Sequence, residues 1–170
     1  FTRASYRVYV IAPHNIKDSA LKKMENVIVI KNSKNTTTYL ELYKQNRINI
    51  ANCKYILFLD GNYVVTDGYL QPMLSLLENN QSDIVSGKIV DIHSRNLLHA
   101  GRIILDNDTI HTLGLGEPAE KPEYSYVRSI DLPAEECMLI RKNMLDKFCD
   151  DGISDTITQF LKNNDFRVLF

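Results

Sequence analysis

Short apolar runs alternate with amphipathic stretches along this chain, in an order that predicts an α/β fold. Apolar runs predict strands at residues 6–11, 27–30 and 55–59. Between them, apolar residues at helical spacing predict a short helix capped at Asp18-Ser19, and a second helix that runs from a threonine cap to about Ile50. This strand–helix–strand–helix–strand order predicts a parallel sheet covered by helices.

In the second half of the chain, apolar runs again alternate with apolar residues at helical spacing. Residues 67–79 predict a helix whose buried stripe recurs at i, i+3, i+4 and i+7, formed by Leu70, Met73, Leu74 and Leu77. Further strands are predicted at residues 84–90, 102–105, 137–140 and 166–170, with a helical turn at 144–148. A last helix is predicted behind a Ser154 cap, with Ile157, Phe160 and Leu161 as its apolar side. Without a linker or repeat, residues 1–170 are predicted to form a single domain.

The composition is that of an ordinary globular protein, and it narrows the classes of partner. Of 170 residues, 44% are hydrophobic and 24% charged, with a formal net charge of -1. Because nucleic-acid binding usually needs a basic surface, no nucleic-acid partner is expected. No apolar run approaches the roughly 20 residues of a membrane span and no signal peptide opens the chain, so we expect a cytoplasmic protein. The three cysteines are odd in number and widely spaced, which favours reduced, buried thiols.

The candidate chemistry begins where the apolar run Tyr55–Leu59 meets Asp60-Gly61-Asn62. Open α/β sheets bind ligands at the carboxyl ends of their strands, which is where these polar side chains lie. Carboxylate and amide oxygens one residue apart can face a hard cation such as Mg²⁺ or Mn²⁺ and the diphosphate that it carries. The alternative is a simple turn, since Asp, Gly and Asn are the commonest turn residues.

Four segments, taken in order, resemble one known family. The sequence YILFLDGN is similar to that family's strand ending in a metal-binding Asp-x-Asp motif, and His99-Ala100-Gly101 resembles its His-Ala-Gly. Residues 114–128 resemble the loop before the acceptor-side strand, and Cys137–Arg141 resembles that strand itself. The chain is therefore similar to inverting family 2 glycosyltransferases of the GT-A fold, especially bacterial rhamnosyltransferase-like members that build surface polysaccharides.

The resemblance implies a mostly parallel GT-A sheet flanked by helices, and transfer of a sugar from a nucleoside-diphosphate sugar to a glycan acceptor with inversion. It implies that Asp60 and Asn62 hold Mg²⁺ or Mn²⁺ against the donor diphosphate. Arg141 follows a strand and could contact phosphate, although a cation at a strand end is more often solvated. Asp155 would be the general base that removes the proton of the acceptor hydroxyl.

The chain departs from the family pattern at several of these positions. Asn62 stands where the family usually has a second aspartate, so it brings no charge to offset the metal and diphosphate. Glu135 stands where a glycine is expected, and with Glu136 it places two carboxylates beside the acceptor pocket. Only Asp155 remains of the acidic motif that opens the family's last helix, and the early nucleotide-contacting aspartate is missing. Glu135 and Glu136 would indicate a lost active site, or an acceptor that carries amines.

Two further alternatives follow from the same comparison. The chain has room for only one of the two strands that open family members, which predicts either a trimmed domain or the loss of part of the nucleotide-binding half. A catalytically degenerate GT-A-like module, acting in binding or assembly within a larger protein, is therefore the main alternative to an enzyme. A Rossmann-type nucleotide domain is weakly supported, because no Gly-x-Gly-x-x-Gly follows a strand. Structural packing and a ligand contact are the two alternatives for the side chains of His99, Tyr124 and Tyr126.

Overall fold

The computed structural model of the chain describes residues 6–13, 23–32, 38–47, 50, 52–151, 157–162 and 166–170. The strands are β1 (Val8–Pro13), β2 (Val27–Asn32), β3 (Tyr55–Leu59), β4 (Ile84–Ser86), β5 (Ile89–Val90), β6 (Leu97–His99), β7 (Arg102–Ile104), β8 (Ile110–Thr112), β9 (Ser129–Ile130), β10 (Cys137–Arg141) and β11 (Val168–Leu169). The helices are α1 (Tyr39–Asn46), α2 (Leu70–Glu78), α3 (Lys142–Asp151) and α4 (Ile157–Lys162), with a 3₁₀ turn at Pro122–Tyr124. The predicted α/β class is confirmed. The chain divides into two compact units, Phe1–Arg47 and Ile48–Phe170.

The described residues of the first unit form a parallel strand pair and helix α1. Strands β1 and β2 pair in parallel along six residues each, so both predicted strands are confirmed, the first displaced by two residues. Helix α1 begins after Thr38, whose hydroxyl oxygen accepts a hydrogen bond from the Glu41 N–H at 3.2 Å, and this confirms the threonine cap. The helix ends at Asn46, before the predicted end near Ile50. The helix predicted at Asp18-Ser19 lies outside the described residues.

A five-stranded mixed sheet forms the centre of the second unit, in the order β3-β10-β4-β11-β9. Strand β10 is antiparallel to both β3 and β4, whereas β4 and β11 are parallel. The sheet is therefore mixed, not mostly parallel. The apolar run of β10 predicts a strand, but such a run does not indicate whether the strand is parallel or antiparallel to its neighbours.

The core on one face of this sheet is formed by α2. Its Met73 and Leu77 pack with Val85 of β4 and Leu139 of β10, and the half-buried Leu70 and Leu74 surround them. The predicted stripe is confirmed, and Pro72 lies in the first turn of the helix, where a missing N–H is tolerated. The apolar side predicted for the last helix is also buried in α4.

The strand predicted at residues 84–90 is in fact two strands in different sheets, β4 and β5. The chain passes so close to β10 at Gly87 that a Cβ there would lie 2.3 Å from the Cys137 Sγ atom. Beyond this point Lys88 donates hydrogen bonds to the carbonyl oxygens of Ala119 at 3.1 Å and Tyr124 at 2.9 Å. The chain therefore leaves the main sheet at Gly87 and enters a region of hairpins and loops.

Two short hairpins and a folded loop make up that region. Strand β5 pairs with β6, and β7 pairs with β8, both antiparallel. In the loop that follows, Glu117 accepts hydrogen bonds from the Tyr124 hydroxyl at 2.7 Å and the Lys121 ammonium at 2.8 Å. Tyr124 also packs into an apolar cluster with Leu97, so it is a core residue and not a ligand platform. No helix in the described part of the chain is long and apolar enough to span a bilayer.

Candidate functional site

The antiparallel direction of β10 brings its first residues to the carboxyl end of β3. Cys137 pairs with Leu59, and the Asp60 N–H donates to the Glu136 carbonyl oxygen at 3.0 Å. The end of β4 meets the same place, because the Gly87 N–H donates to the Cys137 carbonyl oxygen at 2.8 Å. Residues from three separate parts of the sequence therefore share one edge of the main sheet.

Asp60-Gly61-Asn62 forms a turn at this edge. The Asp60 Oδ1 atom accepts hydrogen bonds from the backbone N–H and the side-chain amide of Asn62, both at 2.8 Å. The Tyr63 N–H also donates to the Asp60 carbonyl oxygen at 3.2 Å. The three residues therefore form a turn, in which Asn62 orients the Asp60 carboxylate, and both the turn and the metal site remain compatible with this geometry. The Asn62 side-chain amide donates through its nitrogen, so its oxygen is the atom by which this residue would contact a cation.

Glu135 and Glu136 lie on a tight turn that leads into β10. The turn is closed by a hydrogen bond from the Cys137 N–H to the Ala134 carbonyl oxygen at 3.1 Å. It is anchored to β4, because the Ala134 N–H donates to the buried Ser86 hydroxyl at 2.9 Å. Both glutamates are half-buried. The core of the unit therefore holds the backbone of this turn in place.

Arg102 lies near the two glutamates because its strand is tied to the segment before them. The Arg102 N–H donates to the Leu132 carbonyl oxygen at 2.9 Å, and one guanidinium nitrogen donates to the Pro133 carbonyl oxygen at 3.2 Å. Within the described residues, no ion pair within 4 Å joins Arg102 to Glu135 or Glu136. The positive charge therefore acts on the carboxylates across a gap.

His99 lies at the end of β6 in a fixed orientation. Its Nδ1 atom accepts a hydrogen bond from the Gly101 N–H at 2.9 Å. A nitrogen that accepts carries no proton, so the neutral ring bears its proton on Nε2. Gly101 makes this bond with a φ of +83°, and a Cβ at this position would lie 2.6 Å from the Ile130 Cδ1 atom. This local backbone geometry therefore requires glycine.

His99 lies near the turn of Glu135 and Glu136, because its strand partner Ile89 packs against Ala134 and Cys137. Burial lowers the pKa of His99, and the Arg102 charge lowers it further, while Glu136 opposes the change. Burial raises the pKa of Glu135, with Arg102 opposing and Glu136 adding to the rise. The pKa of Tyr63 is raised by burial, and then by the charges of Glu136 and Asp60.

Three polar atoms of these side chains are buried without a hydrogen-bond partner. The described part of the chain contains four such side-chain atoms, and three of them are His99 Nε2, Arg102 Nε and Glu136 Oε2. The fourth, the Tyr55 hydroxyl, lies at the opposite end of β3. A buried polar group without a partner costs roughly 1–3 kcal/mol, so each of these atoms carries a cost to the stability of the fold.

Asp60 fits a cation that arrives with its own ligand. Among the described residues, no group of three or more histidine, cysteine, aspartate or glutamate side chains is arranged to hold a metal ion. Mg²⁺ commonly uses only one or two carboxylates, with waters and substrate phosphates completing its shell. The oriented Asp60 carboxylate at a strand end meets that requirement.

Of the other predicted site residues, Arg141 is described, and it lies at the end of the β3–β10 strand pair away from Asp60. Arg141 pairs with Tyr55 at the far end of β3, where it donates to the Leu77 carbonyl oxygen and to the Asn80 Oδ1 atom. The structure thus places Arg141 away from the predicted phosphate contact, because β10 runs antiparallel. Asp155, predicted as the general base, lies outside the described residues. Of the cysteines predicted to be buried, Cys137 is buried, whereas Cys53 is exposed.

The comparisons with known proteins bear on the fold. No family model matches the chain. No curated protein matches its sequence. Among solved structures, the chain is similar to A197 from STIV, a viral protein, with a TM-score of 0.53 and 12% sequence identity over 96% of this chain and 80% of that chain. At this identity the likeness shows a shared fold alone.

Proposed function

We propose that this chain is a GT-A-like domain that transfers a sugar from a nucleoside-diphosphate sugar to a glycan acceptor with inversion. The observation that carries the proposal is the meeting of the resembling segments at one sheet edge. Asp60 and Asn62 of the first segment lie against the start of the β10 segment, through the 3.0 Å bond between Asp60 and Glu136. His99 of the second segment pairs with Ile89, which packs against Cys137 of the β10 segment.

In this proposal the donor diphosphate binds beside Asp60, together with Mg²⁺ or Mn²⁺. The cation, when bound, stabilises the negative charge that develops on the leaving nucleoside diphosphate. Asn62 orients the Asp60 carboxylate through its two hydrogen bonds at 2.8 Å. The general base remains the sequence-based assignment, Asp155. Arg141 takes no part, because its position is at the other end of the strand pair.

One observation favours the degenerate module as a second candidate. In this structure Asp60 already accepts two hydrogen bonds within its own turn, from a neutral residue that stands where the family usually has a carboxylate. The motif therefore serves the local fold whether or not it binds a cation. A domain that has lost transfer activity could keep this motif for structural reasons alone.

The test is calorimetric titration of the 170-residue chain with UDP, GDP and dTDP, each with and without Mn²⁺. We expect one of the nucleotides to bind only with Mn²⁺, and Asp60→Asn to weaken that binding at least tenfold. This substitution keeps an oxygen for the turn but removes the charge. Asp106→Asn, at an exposed turn position, is the matched control and should bind like the parent. If the folded chain binds none of the three nucleotides, the degenerate module becomes the better description.

A further inference from the structure

We propose that the free edge of strand β8 binds an extended, positively charged peptide segment of a partner protein, which adds to the β7–β8 hairpin as a third strand. We call Ile110, His111 and Thr112 the β8 edge. Three observations carry the proposal: backbone groups that point away from the hairpin, a cavity beside them, and an excess of negative charge around both. None of the three depends on the proposed transfer of a sugar.

The hydrogen-bond pattern of the hairpin determines which backbone groups of β8 point outward. The Leu113 N–H, just beyond β8, donates to the Gly101 carbonyl oxygen at 3.0 Å. Hydrogen-bonded and non-hydrogen-bonded pairs alternate along an antiparallel ladder, so the next hydrogen-bonded pair is Ile103 with His111. The pairs on either side of it are of the other kind. Two residues of β8 therefore direct their N–H and C=O groups away from β7, namely Ile110 and Thr112.

On β7 the corresponding outward groups are occupied. The Arg102 N–H donates to the Leu132 carbonyl oxygen at 2.9 Å, and the Arg102 carbonyl oxygen accepts from the Asp131 N–H at 3.0 Å. The Ile104 N–H donates to the Asp131 Oδ2 atom at 2.7 Å. On the other side of the hairpin, no described residue bonds to the outward backbone groups of β8, and no described strand pairs there. The β8 edge therefore offers two donors and two acceptors to an added strand.

A cavity of about 400 Å³ lies beside this edge. Its lining comes from β8 and from the turn that follows, as Ile110, His111, Thr112, Gly114, Leu115 and Glu117. Volumes of roughly 300–1,000 Å³ are typical of ligand pockets, so the cavity can receive side chains of an added strand. Two of its apolar side chains are open to solvent, since Leu115 is 63% exposed and Ile110 is 43% exposed. An apolar residue of the added strand would cover them.

The charge around the edge selects the kind of peptide. Residues 105–124, which contain the hairpin tip, β8 and the folded loop, hold five carboxylates and one lysine, a net charge of -4, whereas the whole chain has -1. That lysine, Lys121, is already paired with Glu117 at 2.8 Å and lies 3.9 Å from Glu123. From outside the segment, Arg95 approaches Glu120 at 3.8 Å. The remaining negative charge favours a peptide that carries lysine or arginine.

A second copy of the chain is a weaker occupant for the same reason. Two β8 edges could pair in an antiparallel arrangement, with Ile110 of one copy opposite Thr112 of the other. That arrangement would bring together two segments that each have a net charge of -4. Like charges that face each other across an interface are destabilising, so the charge argues for a basic partner instead.

The first measurement is amide hydrogen exchange of the full chain, followed by NMR. In the free protein, the Ile110 and Thr112 N–H groups should exchange faster than the His111 N–H, which is bonded within the hairpin. Slow exchange of Ile110 and Thr112 in the free chain would show that a segment of the same chain already covers the edge. Protection that increases with protein concentration would identify a second copy as the occupant. Either result would overturn the proposal.

The second measurement adds the peptide acetyl-Lys-Val-Lys-Val-Lys-Val-amide, with acetyl-Glu-Val-Glu-Val-Glu-Val-amide as the charge-reversed control. We expect the lysine peptide to slow the exchange of Ile110 and Thr112, with a Kd of about 0.1–1 mM for so small an interface. The glutamate peptide should have no effect. If the lysine peptide leaves both amides unprotected at 10 times the upper end of that range (about 10 mM, by the same affinity scale), the proposal is wrong.

Strand addition is separated from attraction between charges by N-methylation of the peptide. Two further versions of the lysine peptide carry N-methyl groups either on all three valines or on all three lysines. An added strand directs the N–H groups of alternate residues towards the edge, so one version should lose binding and the other should keep it. Equal binding of both versions would indicate attraction between charges alone and would contradict strand addition.

Two variants of the chain test the same edge. Thr112→Pro removes one outward N–H at an edge position, where proline is tolerated, and should weaken the lysine peptide at least tenfold. Ile110→Lys, at an exposed side chain, should weaken it similarly by adding a positive charge, and it serves if the proline variant does not fold. Val64→Lys makes the same charge change at a side chain that is 84% exposed, and it should bind like the parent. Binding that is equal in all four proteins would place the peptide elsewhere and refute the assignment.

Discussion

Replacing Gly101 by alanine tests the geometry on which the His99 orientation depends. Gly101 has a φ of +83°, and a Cβ here would meet Ile130 at 2.6 Å from Cδ1, 2.8 Å from Cγ2 and 3.2 Å from Cβ. Because two of these atoms are attached close to the backbone of β9, rotation of the side chain cannot relieve the contact. Ile130 is also buried, so it has little room to move away.

The expected cost has two sources. A non-glycine residue in the left-handed region costs roughly 1–2 kcal/mol, and forcing extra volume into a packed core costs roughly 1–3 kcal/mol. Gly101→Ala should therefore lower the free energy of unfolding by about 2–5 kcal/mol. Since the whole stability of a domain is roughly 5–15 kcal/mol, a loss of this size is easily measured.

The assay is urea unfolding followed by far-UV circular dichroism, because the chain contains no tryptophan to report by fluorescence. Gly116→Ala is the matched control, since Gly116 has a similar φ of +81° but nothing within 4 Å of a Cβ. The control should show only the backbone cost. The difference between the two variants then measures the contact with Ile130.

A double-mutant cycle with Ile130→Ala completes the experiment. This change removes the two nearest side-chain atoms, so Gly101→Ala should cost about 1–2 kcal/mol less in that background than in the parent. If Gly101→Ala and Gly116→Ala agree within about 0.5 kcal/mol, the predicted contact is absent and the reasoning is refuted.

Three further predictions concern a buried carboxylate, the core and the thiols. Glu135→Gln should stabilise the protein at pH 7 by on the order of 1 kcal/mol. Burial raises the pKa of Glu135 above its ordinary 4.5, so the cost of burying its ionised form is absent below that pH and grows as pH rises through the pKa of the folded state. Urea unfolding at pH 4 should therefore show no gain in stability. Leu77→Ala should cost about 2–5 kcal/mol in the same assay, and a cost under about 1 kcal/mol would contradict the packing described for α2. A thiol reagent should label exposed Cys53 in the folded protein but buried Cys137 only after unfolding, and equal rates would count against this burial.

The sequence predicts the elements with strong local signals. Tyr55–Leu59 is a strand with the predicted bounds, and the stripe of α2 packs as its spacing requires. Both depend on periodicity within a short segment, which is set by side chains that the sequence lists in order. The break of the predicted strand at Gly87 is different, because it arises from a close approach to Cys137, fifty residues further along.

The sequence identifies only part of the candidate site, because the rest depends on contacts between distant segments. Asp60 and Asn62 follow a buried strand, so local pattern identifies them. The position of Arg102 near Glu136 depends on backbone bonds between distant segments, such as Arg102 to Leu132, which no spacing encodes. The one available signal was the presence of carboxylates beside a core strand, since such groups need partners.

The direction of β10 explains both the misplacement of Arg141 and the charge of the site. Had β10 run parallel to β3, its last residue Arg141 would have joined Asp60; because it runs antiparallel, Glu135 and Glu136 arrive there instead. Among the described residues, the charges acting on this edge of the sheet are thus three carboxylates against the single guanidinium of Arg102. These carboxylates would repel a bare diphosphate, so under the proposed function we expect a divalent cation to accompany a nucleotide that binds beside Asp60. Tight nucleotide binding without metal would therefore contradict the electrostatic description of the site, even if it supported nucleotide recognition.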